Sequence, residues 1–254
     1  MTIHEYGAEN PETIVLIHPS LVMWDYFEYG IPYLAADYHL VIPALPGYDK
    51  DRPSDFTSVE DISAQLAEWL NEHNCSKVSC IYGCSMGGSL VIRFLADGKI
   101  PVDAAVIDGG ITPYRLPWII TRFIALKDFL LILLGKLCGI RILEKAFSTD
   151  EYSEEDLRYA ADVLHMISAK TIWRTFDSCN NYSMPEPVRI GCRKVEYWCA
   201  EKEWKARKQD IAYVKKNIPQ TVFRRLPDLG HGGLAVLHPE EFSRALKQLI
   251  RKEE

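Results

Sequence analysis

A chain of 254 residues, 48% hydrophobic and 25% charged, is long enough to bury a full core, and one α/β domain with an insertion accounts for its length better than two independent domains. The formal net charge of −6, with no block of like charge beyond short mixed runs such as Lys205 to Lys208, argues against nucleic acid as a partner. Seven cysteines, an odd number without C-x-x-C spacing, argue against a disulfide framework and a zinc site and read as reduced core thiols. Met1 to Tyr6 shows no basic region followed by an apolar stretch, so no secretory signal is expected and a cytoplasmic location follows.

In chain order, the first strand candidate is Thr13 to Ile17, which runs into Ile17-His18-Pro19-Ser20-Leu21. Leu40 to Pro43 is the second and leads into Leu45-Pro46-Gly47-Tyr48-Asp49. Val59 to His73 places apolar residues at Val59, Ile62, Leu66, Trp69 and Leu70, the spacing of one helical face. The apolar run Val78 to Tyr82 is followed by Gly83-Cys84-Ser85-Met86-Gly87-Gly88, and Met86 to Leu95 reads as a helix. Ala104 to Ile107 then ends at Asp108-Gly109-Gly110.

From 113 to 185 helical periods dominate and no convincing strand run occurs, which predicts a helical cap inserted between core segments 1–112 and 186–254. Trp118 to Gly139 is strongly apolar, but Arg122, Lys127, Asp128 and Lys136 interrupt it and leave too short an uncharged run to cross a bilayer. A capping helix with a greasy face is the favoured reading and a membrane-surface helix the lesser one. Ser153 to Thr175 opens with Ser153-Glu154-Glu155-Asp156, a capping and dipole signature for a further helix. Val195 to Cys199 and Thr221 to Leu226 supply two more strands, and Phe242 to Ile250 a last helix. Strands alternating with helices predict a mostly parallel sheet covered on both faces.

The chemistry concentrates at Ser85. A serine between glycines at a strand-to-helix turn is exposed as a nucleophile, and the unfilled N–H groups of the following helix favour developing negative charge. Such a motif counts only when a base, an orienting acid and a second oxyanion donor accompany it. His231, in the glycine-rich run Asp228-Leu229-Gly230-His231-Gly232-Gly233 after a strand, is the candidate base; activity is then expected to fall in acid around the unperturbed histidine pKa of ~6.5. Glu203, after the Val195–Cys199 strand, is the candidate acid that takes the Nδ1–H of His231, with Asp108 its rival. Pro19 has no N–H, so the amide of Ser20 is the natural oxyanion donor, paired with that of Met86, while His18 is expected to brace this loop. Leu21, Trp118 and Phe123 are candidate substrate contacts.

Taken together these residues resemble the α/β-hydrolase superfamily, whose Ser–acid–His chain order is matched by Ser85, Glu203 and His231. Leu45-Pro46-Gly47-Tyr48-Asp49 resembles the family's Pro-Gly loop, and Asp108-Gly109-Gly110 leads into a cap. Pro19 stands where the family usually has glycine, and Ala200 and Glu203 replace the frequent Gly and Asp of its acid turn; the stretch before Thr13 has room for only one of the strands that often precede the core. The resemblance implies acyl transfer to water through an acyl-serine, with no metal or cofactor, on a small-molecule ester. Amides, thioesters, carbon–carbon bonds and transfer to another acceptor are the alternatives on this fold, as is a slow-turnover ligand-binding protein. The apolar cap, with Trp118, Phe123, Phe129, Leu130 and Leu133, is read equally as a hydrophobic substrate wall or as a face packed on the core.

Overall fold

The computed structural model describes residues 1–113, 117–138 and 154–251, apart from the side chains of Trp118, Cys138 and Glu154. Seven strands form one sheet: β1 (Thr2–Tyr6), β2 (Thr13–Ile17), β3 (His39–Ala44), β4 (Val78–Cys84), β5 (Val102–Asp108), β6 (Lys194–Ala200) and β7 (Val222–Leu226). Their spatial order is β1-β3-β2-β4-β5-β6-β7. All neighbours run parallel except β1, which pairs antiparallel with β3 at the edge. The six sequence-predicted strands are all present. The seventh, β1, has no apolar run, and its residues are partly exposed rather than buried.

Side chains alternate across the sheet with a period of two. Ile14, Leu16, Tyr82 and Trp198 face one layer, with α1 (Ile31–Ala35), α8 (Gly233–Leu237) and α9 (Pro239–Arg251). Val15, Ile17, Ile81 and Ile107 face the other, with α2 (Val59–Glu72), α3 (Met86–Asp97) and α7 (Lys208–Asn217). Burial on both faces explains why the central strands read as continuous hydrophobic runs instead of alternating ones.

Between β5 and β6 the chain leaves the sheet for α4 (Trp118–Cys138), α5 (Glu154–Met166) and α6 (Ala169–Asn181). The expected helical stretch from Ser153 to Thr175 is two helices, because Ser168 breaks it: its hydroxyl accepts the Thr171 N–H at 2.9 Å as an N-cap and donates to Asp55 at 2.6 Å. Ser153 itself, the expected cap of the first of these helices, lies outside the described residues. α4 turns Ala125 and Phe129 inward, the latter edge-on to Trp173 at 5.7 Å, and leaves Phe123, Leu130 and Leu134 exposed. Among the described residues no helix is long and apolar enough to cross a membrane.

On the α9 side, Phe27, Tyr82, Trp198 and Phe242 form an aromatic cluster with centroids 4.8–6.4 Å apart. It joins the loop between β2 and β3 (the first loop), β4, β6 and α9 beneath the C-terminal ends of the strands. Phe242 is fully buried there. Phe242→Ala is expected to cost about 3–5 kcal/mol of stability, read as a fall in the midpoint of thermal or denaturant unfolding; a loss below about 1 kcal/mol would mean that the cluster does not hold this end of the fold together.

Candidate active site

The parallel register brings the C-terminal ends of β4, β5 and β6 level, with Cys84 opposite Asp108 and Asp108 opposite Trp198. Groups that follow these strands therefore meet at one edge of the sheet, where open α/β sheets bind ligands. Ser85 joins β4 to α3 with φ 53° and ψ −112°, a backbone that a residue with a Cβ adopts only when its surroundings impose it. The turn is so tight that a Cβ on Gly83 would lie 2.2 Å from the carbonyl oxygen of Gly87. Ser85 opens on a cavity of about 650 Å³ that is also lined by Ser20, Leu21, His231 and Gly232. Met86 is the first residue of α3, so its amide is among the unfilled donors of that helix.

His231 follows β7 and Glu203 ends the short 3₁₀ turn Glu201–Glu203 that follows β6. Their side chains meet: His231 Nδ1 donates to Glu203 Oε2 at 2.8 Å. Gly109, at φ +56°, makes this approach possible, since a Cβ there would stand 2.9 Å from His231 Cε1 and 3.1 Å from Nδ1. Burial raises the Glu203 carboxyl, but the His231 hydrogen bond and the nearby His231 and Arg207 charges outweigh it and hold the group below the ordinary glutamate range. Glu203 thus remains an ionised acceptor, which fixes the proton on Nδ1 and leaves Nε2 for chemistry. Tyr26 donates to the carbonyl of Gly232 and ties the histidine loop to the first loop.

Asp108 occupies a different position. It is 2% exposed and accepts a 2.7 Å hydrogen bond from Tyr82. Burial raises its carboxyl from 3.8 to about 6, against the lowering effects of the Tyr82 bond and nearby His231. The carboxylate that hydrogen-bonds His231 is that of Glu203.

The Ser20 loop is held from below by His18, which is fully buried. Its Nδ1 donates to the carbonyl of Pro19 at 2.8 Å, and its Nε2 accepts the Leu45 N–H at 3.4 Å. One donor and one acceptor require the neutral ring, and burial lowers its pKa to about 4. The expected bracing role is what this geometry provides. Leu21, next in the loop, has φ 69° and lines the cavity.

Two residues were not legible. Arg207 belongs to a stretch that looks like a solvated charge run, yet it is only 18% exposed and pairs with Asp210 at 3.6 Å. Asp210 in turn accepts the amide and hydroxyl of Thr112 at 2.8 and 2.9 Å. Tyr159, on α5, takes the Met23 N–H at 3.0 Å and donates to Asp25, latching the insertion to the first loop. The spacing of Arg207 and Asp210, i and i+3 in a helix, was a usable signal; nothing local marked Tyr159. Of the remaining expected substrate contacts, Phe123 is 69% exposed on the outer side of α4 and does not line the cavity, because α4 turns Ala125 and Phe129 inward instead. The side chain of Trp118 lies outside the described residues.

Because the folded Asp108 carboxyl titrates near 6 instead of 3.8, the folded state binds the extra proton between those values. Its contribution to stability is full below about 3.8 and is lost as pH rises through about 6. Asp108→Asn is therefore expected to flatten the pH dependence of the unfolding free energy between pH 4 and 7; an unchanged slope would contradict the assignment.

The sequence signature of the alpha/beta hydrolase family matches residues 14–245. The fold is similar to that of the esterase EaEST from Exiguobacterium antarcticum, at TM-score 0.79 and 16% identity over 98% of this chain and 95% of that one. It is similar also to MenH from S. aureus, at TM-score 0.76 and 17% identity over 98% and 97% of the two chains. A bromoperoxidase from Bacillus anthracis gives TM-score 0.77 and 18% identity over 98% and 95%. With six parallel strands in register, a strained serine turn after β4 and a family match along most of its length, the chain belongs to the alpha/beta hydrolase family.

Proposed function

We propose that the protein is a serine hydrolase that cleaves a carboxylic ester through an acyl-serine intermediate. The observation that carries this reading is the 2.8 Å His231–Glu203 hydrogen bond at a cavity that His231 shares with Ser85. In this reading His231 Nε2 takes the Ser85 hydroxyl proton as Oγ attacks the ester carbonyl. The amides of Met86 and Ser20 hold the oxyanion, and the departing alkoxide leaves as the alcohol with the proton from His231. Water, deprotonated by the same imidazole, then attacks the acyl-serine and releases the carboxylic acid and the free serine. Glu203 keeps the ring oriented and stabilises the imidazolium, and the segment 113–185 acts as a cap over the cavity. Esterases, EaEST included, are among the proteins that share this fold, and an ester is the substrate in keeping with them.

Ser85→Ala is expected to abolish turnover of short p-nitrophenyl esters while leaving the circular dichroism spectrum unchanged; turnover at the parental rate would overturn the role of Ser85. For the orienting acid, Glu203→Gln is expected to lower kcat by about 10²–10⁴, and Asp108→Asn by far less. The reverse order would move the role to Asp108.

A further inference from the structure

The wall of the cavity carries a charge pattern that ester cleavage by itself does not require. Asp25 and Glu28 line it from the first loop, and Glu155 and Asp156 from the first turn of α5. No lysine or arginine is among the described residues that line it. Core and insertion each contribute, so the convergence is made by tertiary structure and not by a local acidic run. Glu155 and Asp156 gain from their place at a helix N-terminus, but Glu28, which follows a 3₁₀ turn, has no such reason to be acidic.

Phenol rings stand among these carboxylates, with Tyr26, Tyr29 and Tyr159 lining the same space. The Tyr29 hydroxyl is pushed up by Glu28 first, then by burial and its hydrogen bond to Glu28, then by Asp156 and Glu155. Carboxylates from both sides of the opening therefore act on one ring. Glu28, Tyr29 and Glu155 are exposed, whereas Leu157 and Leu164 are buried, so the mouth is acidic and aromatic and the interior apolar. Among the described residues no three carboxylate, histidine or cysteine groups come close enough to share a metal ion. The cavity, at about 650 Å³, has room for a bulky cation whose charge is spread over several carbons.

We propose that the cavity selects a substrate carrying an organic cation, a quaternary or protonated amine, held between Glu28, Glu155 and Asp25 and against the face of Tyr29. A ring face attracts such a cation most when water is excluded, and the surrounding carboxylates raise its local concentration. The inference rests on the proposed role of Ser85 only in placing an ester beside that cation; recognition of the cation does not need turnover.

The test uses acetylcholine and its neutral carbon isostere, 3,3-dimethylbutyl acetate, which share shape and differ in charge. Binding to the Ser85→Ala protein is measured by calorimetry, and turnover is measured on the parent. Acetylcholine is expected to bind about tenfold more tightly than the isostere. That ratio is expected to shrink when salt is raised to about 0.5 M, and to fall toward one in Glu28→Gln/Glu155→Gln. Equal affinity, no measurable binding of the cation, or a preference that survives the double substitution would overturn the proposal. Parent protein that cleaves both esters with equal kcat/KM also overturns it while leaving the ester reading intact. A cation preference in binding with neither ester cleaved supports the inference and counts against the ester reading.

Discussion

Two backbone hydrogen bonds beyond the regular strand ladders set the position of everything else at the site. The Ser85 N–H donates to the carbonyl of Asp108 at 2.8 Å, and the Gly109 N–H donates to that of Trp198 at 2.9 Å. They lock the ends of β4, β5 and β6 together at the point where each strand gives way to its loop. The strained conformation at Ser85 persists because the sheet on one side and α3 on the other leave no alternative path. Gly109, fixed in the same step, becomes the open face against which His231 rests.

From that frame the electrostatics divide the work between two carboxyl groups. Asp108 lies below the turn, buried and joined to Tyr82, and holds its proton to a higher pH than a free carboxyl. Glu203 lies beside the cavity with His231 as its partner and the Arg207 charge nearby, and stays ionised. Proximity in sequence to the strand ends would have allowed either to serve; environment separates them. Arg207 is joined to Asp210 and through it to Thr112 in the loop after β5, so the charge that supports Glu203 is itself held by the strand end that carries Asp108 and Gly109.

Much of the fold was legible because its central strands are buried on both faces and bounded by turn residues. Thr13–Ile17 was read to the residue, and the others to within two at each end. β1 was not, since a half-exposed edge strand has no hydrophobic signature. Ser85, His231 and Glu203 stood out through glycine settings and strand ends, which are local features. Tyr159 and the acidic mouth were invisible for the opposite reason: each depends on which distant segments meet. The exposed Phe123 and Leu130 mark the same limit, as apolar composition of α4 says how greasy the helix is but not which way it faces.

The central claim is that Ser85 is the activated nucleophile of the cavity. Its most direct test is reaction of the native protein with a fluorophosphonate, followed by intact mass and peptide mapping. One adduct on Ser85, absent from Ser85→Ala and formed much more slowly in Glu203→Gln, is the result this account predicts. No adduct on native, folded protein, or one carried by another residue, would contradict it.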